Sequence, residues 1–173
     1  PATLAWRPRR RLRRKGVQVP TFQLHVNGEA VSVETESNTS LLIALRNHLG
    51  LKAAKFGCGL SLCGACTVWM DGRPVYSCDI PVGAVGDQEI RTLEAMGTES
   101  DPHPLQRAFI EGQVGQCGYC LPGIIMRAAA LLRDHPTPSR AEVVEALDTN
   151  LCRCGSHQRI VDAVVQAGQG AAR

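Results

Sequence analysis

The sequence predicts an α+β chain, in which a small mixed sheet packed on one helix is followed by an all-helical half. Three observations carry this. Short alternating segments up to Ile90 are joined by Asn27-Gly28 and Asp71-Gly72, the dipeptides of tight hairpins. Beyond Ser100 the chain has helix-capping residues ahead of apolar residues at helical spacing. Eight cysteines divide four and four between the two halves, and none is left over.

Taken in order, Thr21 to Val26 alternates with Phe22, Leu24 and Val26 on one side, and Val31 and Val33 resume the pattern after Asn27-Gly28. Thr39 or Ser40 can cap a helix carrying Leu41, Leu42, Leu45 and Leu49, with Gly50 where that helix would end. A cysteine loop leads into a strand through Thr67-Val68-Trp69-Met70, and the Asp71-Gly72 turn leads into Pro74 to Cys78. The unit closes near Ile90, and a short polar link runs from Arg91 to Ser100. Asp101 can cap a helix reaching Glu111, with Pro102 in its first turn. A second helix follows Pro122 through Ile124, Ile125, Ala128, Leu131 and Leu132 and stops before Pro136. Ser139 and Glu142 form a capping box for a third, and a fourth runs from about Gln158 to Gln166. The expected division is a basic tail over 1–19, a first domain over 20–96 and a second over 97–173.

Composition bounds the function. At 173 residues the chain suits two small domains, and no apolar run approaches the roughly 20 residues that span a bilayer. With seven aromatics neither half builds a large aromatic core, so bound metal would supply part of the stability. The net charge of +3 hides a polarity: Arg7, Arg9, Arg10, Arg11, Arg13, Arg14 and Lys15 crowd one segment, leaving twelve basic against sixteen acidic residues from Gly16 onward. Such a tail suits a nucleic-acid or anionic-membrane patch in principle. A twin-arginine export signal would need an apolar segment after the arginines, which the sequence lacks. The favoured reading is a disordered arm lying on an acidic partner, with no nucleic acid expected.

The cysteines carry the chemistry. Cys58, Cys63 and Cys66 read C-x4-C-x2-C, and Cys78 follows after eleven intervening residues. This is the plant-type spacing for a [2Fe–2S] cluster, which needs thiolates from several directions and N–H donors to its sulfurs. Gly57, Gly59 and Gly64 let the backbone bend close to such a cluster, and no Asp or Glu lies between Lys55 and Trp69 to oppose its negative charge. Zinc is the competing ligand, but a four-cysteine zinc site usually pairs C-x2-C with C-x2-C. The second set is Cys117 and Cys120 in C-x2-C, just ahead of a helix, and Cys152 and Cys154 in C-x-C on a turn between helices. The positive end of that helix favours an anionic group. A framework of disulfides fits neither the clustering nor two cysteines flanking one residue.

Four segments in order, Lys55-Phe56-Gly57-Cys58-Gly59, Cys63-Gly64-Ala65-Cys66-Thr67-Val68, Gln116-Cys117-Gly118-Tyr119-Cys120 and Asn150-Leu151-Cys152-Arg153-Cys154-Gly155, resemble the small iron–sulfur subunit of the molybdenum hydroxylases, relatives of xanthine oxidase. The resemblance covers about Thr21 to Gln166. It implies an N-terminal β-grasp, ferredoxin-like domain and a C-terminal four-helix bundle, each holding one 2Fe-2S cluster. It also implies a hetero-oligomer, whose other members are a large molybdopterin-bearing subunit, and an FAD-binding or cytochrome c (haem) partner. Gln116 matches the residue that hydrogen-bonds the pterin, and Cys154 the ligand cysteine that contacts its amino group. Electrons from substrate hydroxylation would pass from the molybdenum cofactor through the bundle cluster and the ferredoxin-like cluster to FAD or haem. Phe56-Gly57-Cys58-Gly59-Leu60 looks like the branch that oxidises N-heteroaromatics or aldehydes, such as the isoquinoline and nicotinate dehydrogenases. The long basic tail departs from the family pattern.

Other side chains add no second chemistry. His25, His48, His103, His135 and His157 are read as non-ligands, because each set already has four thiolates. Tyr119 is read as a packing residue whose hydroxyl finds a partner, and Arg153 either raises the potential of the second cluster or pairs with an acid at a subunit surface. No acid–base pair suggests catalysis within the chain, and no glycine-rich phosphate motif suggests a nucleotide. The reading is an electron-transfer subunit of a molybdenum oxidoreductase, with no catalytic residue of its own. A free-standing two-cluster ferredoxin or a structural zinc protein are the alternatives. The expected location is cytoplasmic or peripheral at the inner membrane, with export to the periplasm beside a partner as the alternative.

Overall fold

The computed structural model describes residues 19–171. The arginine-rich segment, and with it the reading of a disordered arm, lies outside the described residues.

In the first half β1 (Thr21–Val26) and β2 (Glu29–Glu34) form an antiparallel hairpin in which Phe22 faces Val33 and Leu24 faces Val31. Asn27 and Gly28 turn it with φ of 57° and 83°, the left-handed pair such a tight hairpin needs. A second hairpin joins β3 (Thr67–Met70) to β4 (Arg73–Tyr76). Between the hairpins lies β5 (Glu89–Arg91), parallel to β1 and antiparallel to β3, giving the order β2-β1-β5-β3-β4. This is the mixed sheet expected. The helix packed on it starts as α1 (Leu41–Ile43), capped by Ser40, and widens into a π-helical turn over Ala44–His48. Leu49 N–H reaches the Ala44 carbonyl at 3.1 Å there, and Leu51 N–H the Leu45 carbonyl at 2.9 Å. Leu24, Val26, Val33, Leu41, Leu42, Leu45, Val68 and Ile90 are buried between sheet and helix. Each such side chain contributes about 1.5–3 kcal/mol through burial.

The second half holds α2 (Pro104–Glu111), α3 (Leu121–Asp134), α4 (Arg140–Ala146) and α5 (His157–Ala171). Leu105, Phe109, Ile124, Met126, Val143, Leu147, Ile160 and Val164 form one apolar core among them. Trp69 of β3 packs against this second core, and its indole N–H donates to the Met126 carbonyl at 2.8 Å. The Arg133 guanidinium lies over the same ring, 5.2 Å from its centroid. The halves are thereby locked together.

Four details differ from expectation. The first helix is a single α turn followed by a π turn, because the chain widens before Gly50, whose φ is 74°. β4 stops at Tyr76, so Cys78 sits on the turn beyond it. The cap of α2 is His103 and not Asp101: its Nδ1 accepts the Leu105 N–H at 3.2 Å, and Gln106 returns a bond to the His103 N–H at 2.8 Å. Pro104 then takes the first helical position, where a missing N–H costs nothing. Finally, α5 runs beyond Gln166 to Ala171. Among the described residues no helix is long and apolar enough to cross a membrane.

Candidate metal centres

The first set stands on one loop and one turn. Ser61, Gly59 and Gly64 adopt φ of 56°, 67° and 69°, which folds the loop back so that its amides point inward at sulfur. Cys58 N–H donates to Cys63 Sγ, and the Leu60 and Leu62 N–H groups both donate to Cys58 Sγ, each at 3.3 Å. A Cβ placed on Gly57 would stand 2.6 Å from Cys63 Sγ, so only glycine fits there. Cys78 is carried to the same place by the Ser77 hydroxyl, which donates to the Cys66 carbonyl at 2.7 Å.

The second set is held by helix ends. Cys120 is the N-cap of α3, and Cys154 lies shortly before the start of α5. All four thiols, Cys117, Cys120, Cys152 and Cys154, line one small cavity with Gly115, Gly118 and Ser156. Gln116 Nε2 donates to the Cys154 carbonyl at 3.2 Å, so the two residues matched to pterin contacts lie together, with Gln116 and Cys117 both exposed.

Within each set the sulfurs gather two by two. Cys58 and Cys63, Cys66 and Cys78, Cys117 and Cys154, and Cys120 and Cys152 lie close enough to shift one another's proton affinity. Among the described residues no three His, Cys, Asp or Glu side chains converge as one mononuclear ion would require. Four thiols that gather without three of them converging on one point suit a diamond core with two thiolates on each iron. The glycine that only hydrogen replaces and the amides aimed at sulfur fit it too.

The thiols differ in proton affinity. The Leu60 N–H, helped by the other donors around it, brings Cys58 down to about 7 against the pull of burial. Burial pushes Cys66 and Cys120 up to about 12. The Tyr119 N–H holds Cys117 below the usual thiol range. Burial pulls Cys152 upward, but the N–H groups of Ser156 and Cys154 and nearby side chains outweigh it, leaving that thiol lowered. A buried thiol keeps its proton unless a cation displaces it, so metal loading of the inner pairs releases protons.

The two sites touch. Leu151 N–H donates to the Cys63 carbonyl at 3.0 Å, joining a residue of the first set to the neighbour of Cys152. The Tyr119 hydroxyl donates to the Phe56 carbonyl at 2.6 Å, and the Asn150 side-chain amide to the Gly64 carbonyl at 3.4 Å. Space at this seam is so short that a Cβ on Gly123 would collide with the Gly64 carbonyl. An apolar cavity of about 360 Å³ lies along it, lined by Cys58, Cys63, Cys117, Cys120 and Cys152. Around it Phe56, Leu60, Leu62, Tyr119 and Leu151 are exposed. Tyr119, read from the sequence as a packing residue whose hydroxyl finds a partner, finds it in the Phe56 carbonyl; the roles of Trp69, Gly123 and Ser156 are not foreseen. For Trp69 and Gly123 the partners lie far along the chain, and no local pattern announces them.

Residues 24–92 match the family described as 2Fe-2S iron-sulfur cluster binding domain, and residues 92–165 that described as [2Fe-2S] binding domain. The chain is 48% identical over 149 residues to one of the subunits of nicotinate dehydrogenase from Pseudomonas putida, covering 86% of this chain and 95% of that protein. It is 51% identical over 148 residues to the alpha subunit of isoquinoline 1-oxidoreductase from Brevundimonas diminuta, covering 85% and 97%. Among solved structures, a chain of quinoline 2-oxidoreductase from Pseudomonas putida 86 superposes with a TM-score of 0.85 at 34% identity, over 91% of this chain and 98% of that one. The aldehyde oxidoreductase of Desulfovibrio desulfuricans superposes with a TM-score of 0.84 at 40% identity, this chain spanning 17% of its length. Identity of this order runs nearly end to end through short proteins that are themselves small subunits, so coincidence of fold alone does not account for it. The chain belongs to the xanthine oxidase family of molybdenum hydroxylases, as a small subunit with two [2Fe–2S]-binding domains.

Proposed function

We propose that this chain is the electron relay of a multi-subunit molybdenum hydroxylase, carrying electrons from a molybdopterin-bearing large subunit towards an FAD or cytochrome c acceptor. The observation that carries the reading is the gathering of thiols at two sites that share one seam: Cys117, Cys120, Cys152 and Cys154 line one cavity, backbone amides point at the sulfurs of Cys58 and Cys63, and the Leu151 N–H joins the two sites through the Cys63 carbonyl. Cys58, Cys63, Cys66 and Cys78 would hold one cluster, and Cys117, Cys120, Cys152 and Cys154 the other. When bound, each cluster supplies one-electron chemistry; the protein positions it and excludes water. The Leu60, Leu62, Tyr119 and Ser156 amides neutralise negative charge on sulfur, and the α3 N-terminus adds its positive end. Gln116 and Cys154 would meet the pterin, a role supported by their shared place at the surface beside Cys117. The division at residues 96/97 is part of the same reading, with Met96 already packed in the second core.

The substrate we infer is an N-heteroaromatic or an aldehyde, supported by the names of the relatives: nicotinate, isoquinoline, nicotine and quinoline oxidoreductases and an aldehyde oxidoreductase. Its pocket would lie on the large subunit. The location is cytoplasmic or peripheral at the inner membrane.

Replacing Cys120 by alanine tests the assignment. In the purified complex, one of two EPR-distinguishable reduced clusters should vanish while the other keeps its signal, and substrate oxidation should uncouple from the acceptor. Two unchanged signals would refute the ligand set.

A further inference from the structure

Ser156 immediately precedes α5, and its carbonyl accepts the Ile160 N–H at 3.0 Å, so it occupies the capping position of that helix. A serine there ordinarily turns its hydroxyl onto an N–H of the first helical turn. This one does not. The residue is 3% exposed, and its Oγ has no hydrogen-bond partner among the described residues. It lines the cavity formed by the four thiols of the second set, and its N–H and side chain both help to lower the proton affinity of Cys152. A buried hydroxyl left without a partner forfeits the bonds it made to water in the unfolded chain. Buried polar groups are therefore rarely orphaned without a purpose. With four thiols lining the same cavity, sulfur is the acceptor at hand, and a hydroxyl offers sulfur a proton.

We propose that Ser156 is a positioning residue that donates its hydroxyl hydrogen to the sulfur of the second cluster site, on Cys152 or the cluster itself, and thereby sets that cluster's reduction potential above that of an otherwise identical site. The sign follows from charge. Reduction adds an electron to a group that is already anionic, and a hydrogen bond donated to its sulfur stabilises the more negative form more than the less negative one. The Ser156 amide would remain in any variant, so the hydroxyl's share can be separated from it. The helix end explains the alternative: if the residue acts only as a spacer, its volume matters and its hydroxyl does not.

This rests on the two-cluster reading, and the experiment separates the two. Ser156→Thr and Ser156→Val share a shape and differ in the hydroxyl, and Ser156→Ala removes both hydroxyl and bulk. In the assembled complex the potentials of both clusters are followed by EPR-monitored redox titration. The wild type and Ser156→Thr should titrate together, Ser156→Val and Ser156→Ala should shift the second cluster to lower potential, and the first cluster should not move in any of them. Equal second-cluster potentials in the Thr and Val variants would overturn the role of Ser156 while leaving the two-cluster reading intact. A wild-type complex without two signals would overturn both. Where the Ala variant fails to load its second site, the Thr–Val comparison alone decides.

Discussion

At the residue scale the first site depends on Gly57. Any side chain there meets Cys63 Sγ, so Gly57→Ala should cost the first cluster and spare the second, halving the iron bound per chain without abolishing the second EPR signal. His103 makes a different demand. Burial, helped by the positive charge of Arg91, holds its imidazole below the usual 6.5, and its Nδ1 must stay unprotonated to cap α2. Above that ordinary value the ring is neutral in folded and unfolded chains alike, and the stability is fully present. As pH falls through it the unfolded chain takes up the proton first, so stability drops until the folded ring also titrates. Thermal unfolding followed between about pH 7.5 and 5.5 should reveal this loss as a falling unfolding temperature, and His103→Asn should flatten it. The cysteines were legible as ligands because their type and spacing suffice. Which thiols pair was not, since Cys117 finds Cys154 and Cys120 finds Cys152 only once α3 and α5 are in place. His103 is hard to foresee as a cap because imidazole is a rare one, and Asp101 looks better.

At the scale of elements, local signals are legible and long-range ones are not. The box around α4 is four residues long and visible as such: Ser139 Oγ accepts the Glu142 N–H at 3.3 Å, and Glu142 accepts the Ser139 N–H at 2.7 Å. Ser139→Ala should remove about 1 kcal/mol from unfolding stability, measured by denaturant titration, with both clusters retained. By contrast β5 has one inward side chain, Ile90, flanked by exposed Glu89 and Arg91, so no periodicity reveals that it is the central strand. Its place comes from pairing with β1 and β3 together. The π turn after α1 is equally hidden, because Leu41, Leu42 and Leu45 sit at spacings that an ordinary helix would share. For α3 the decisive residue is Gly123, pressed on the Gly64 carbonyl at the helix start. Gly123→Ala should lengthen the gap between the sites. The expected outcome is a weaker magnetic interaction between the two reduced clusters in EPR and a loss of about 1–3 kcal/mol from overpacking.

At the scale of the whole molecule, two modest cores are joined by a polar seam, with Trp69 reaching from one into the other. Chains of this size bury a limited share of their surface, and metal bonds make up part of the difference. Stripping iron with a chelator should therefore lower the unfolding temperature of the entire chain in circular dichroism, and reconstitution should restore it. The two-part architecture was legible from the change of pattern across the link between Arg91 and Ser100 and from the cysteine count. The seam was not, because it joins Phe56 to Tyr119, Gly64 to Asn150 and Cys63 to Leu151, none of them near its partner in the chain.

The missing Cβ on Gly123 also sets a rule for anyone building hybrids from such proteins. A foreign sheet half grafted onto these helices presents a peptide oxygen where Gly64 now does, and a donor of the helices with alanine at that spot would hold the graft ajar. Matching surfaces elsewhere will not rescue it; the bare α-carbon has to travel with its half.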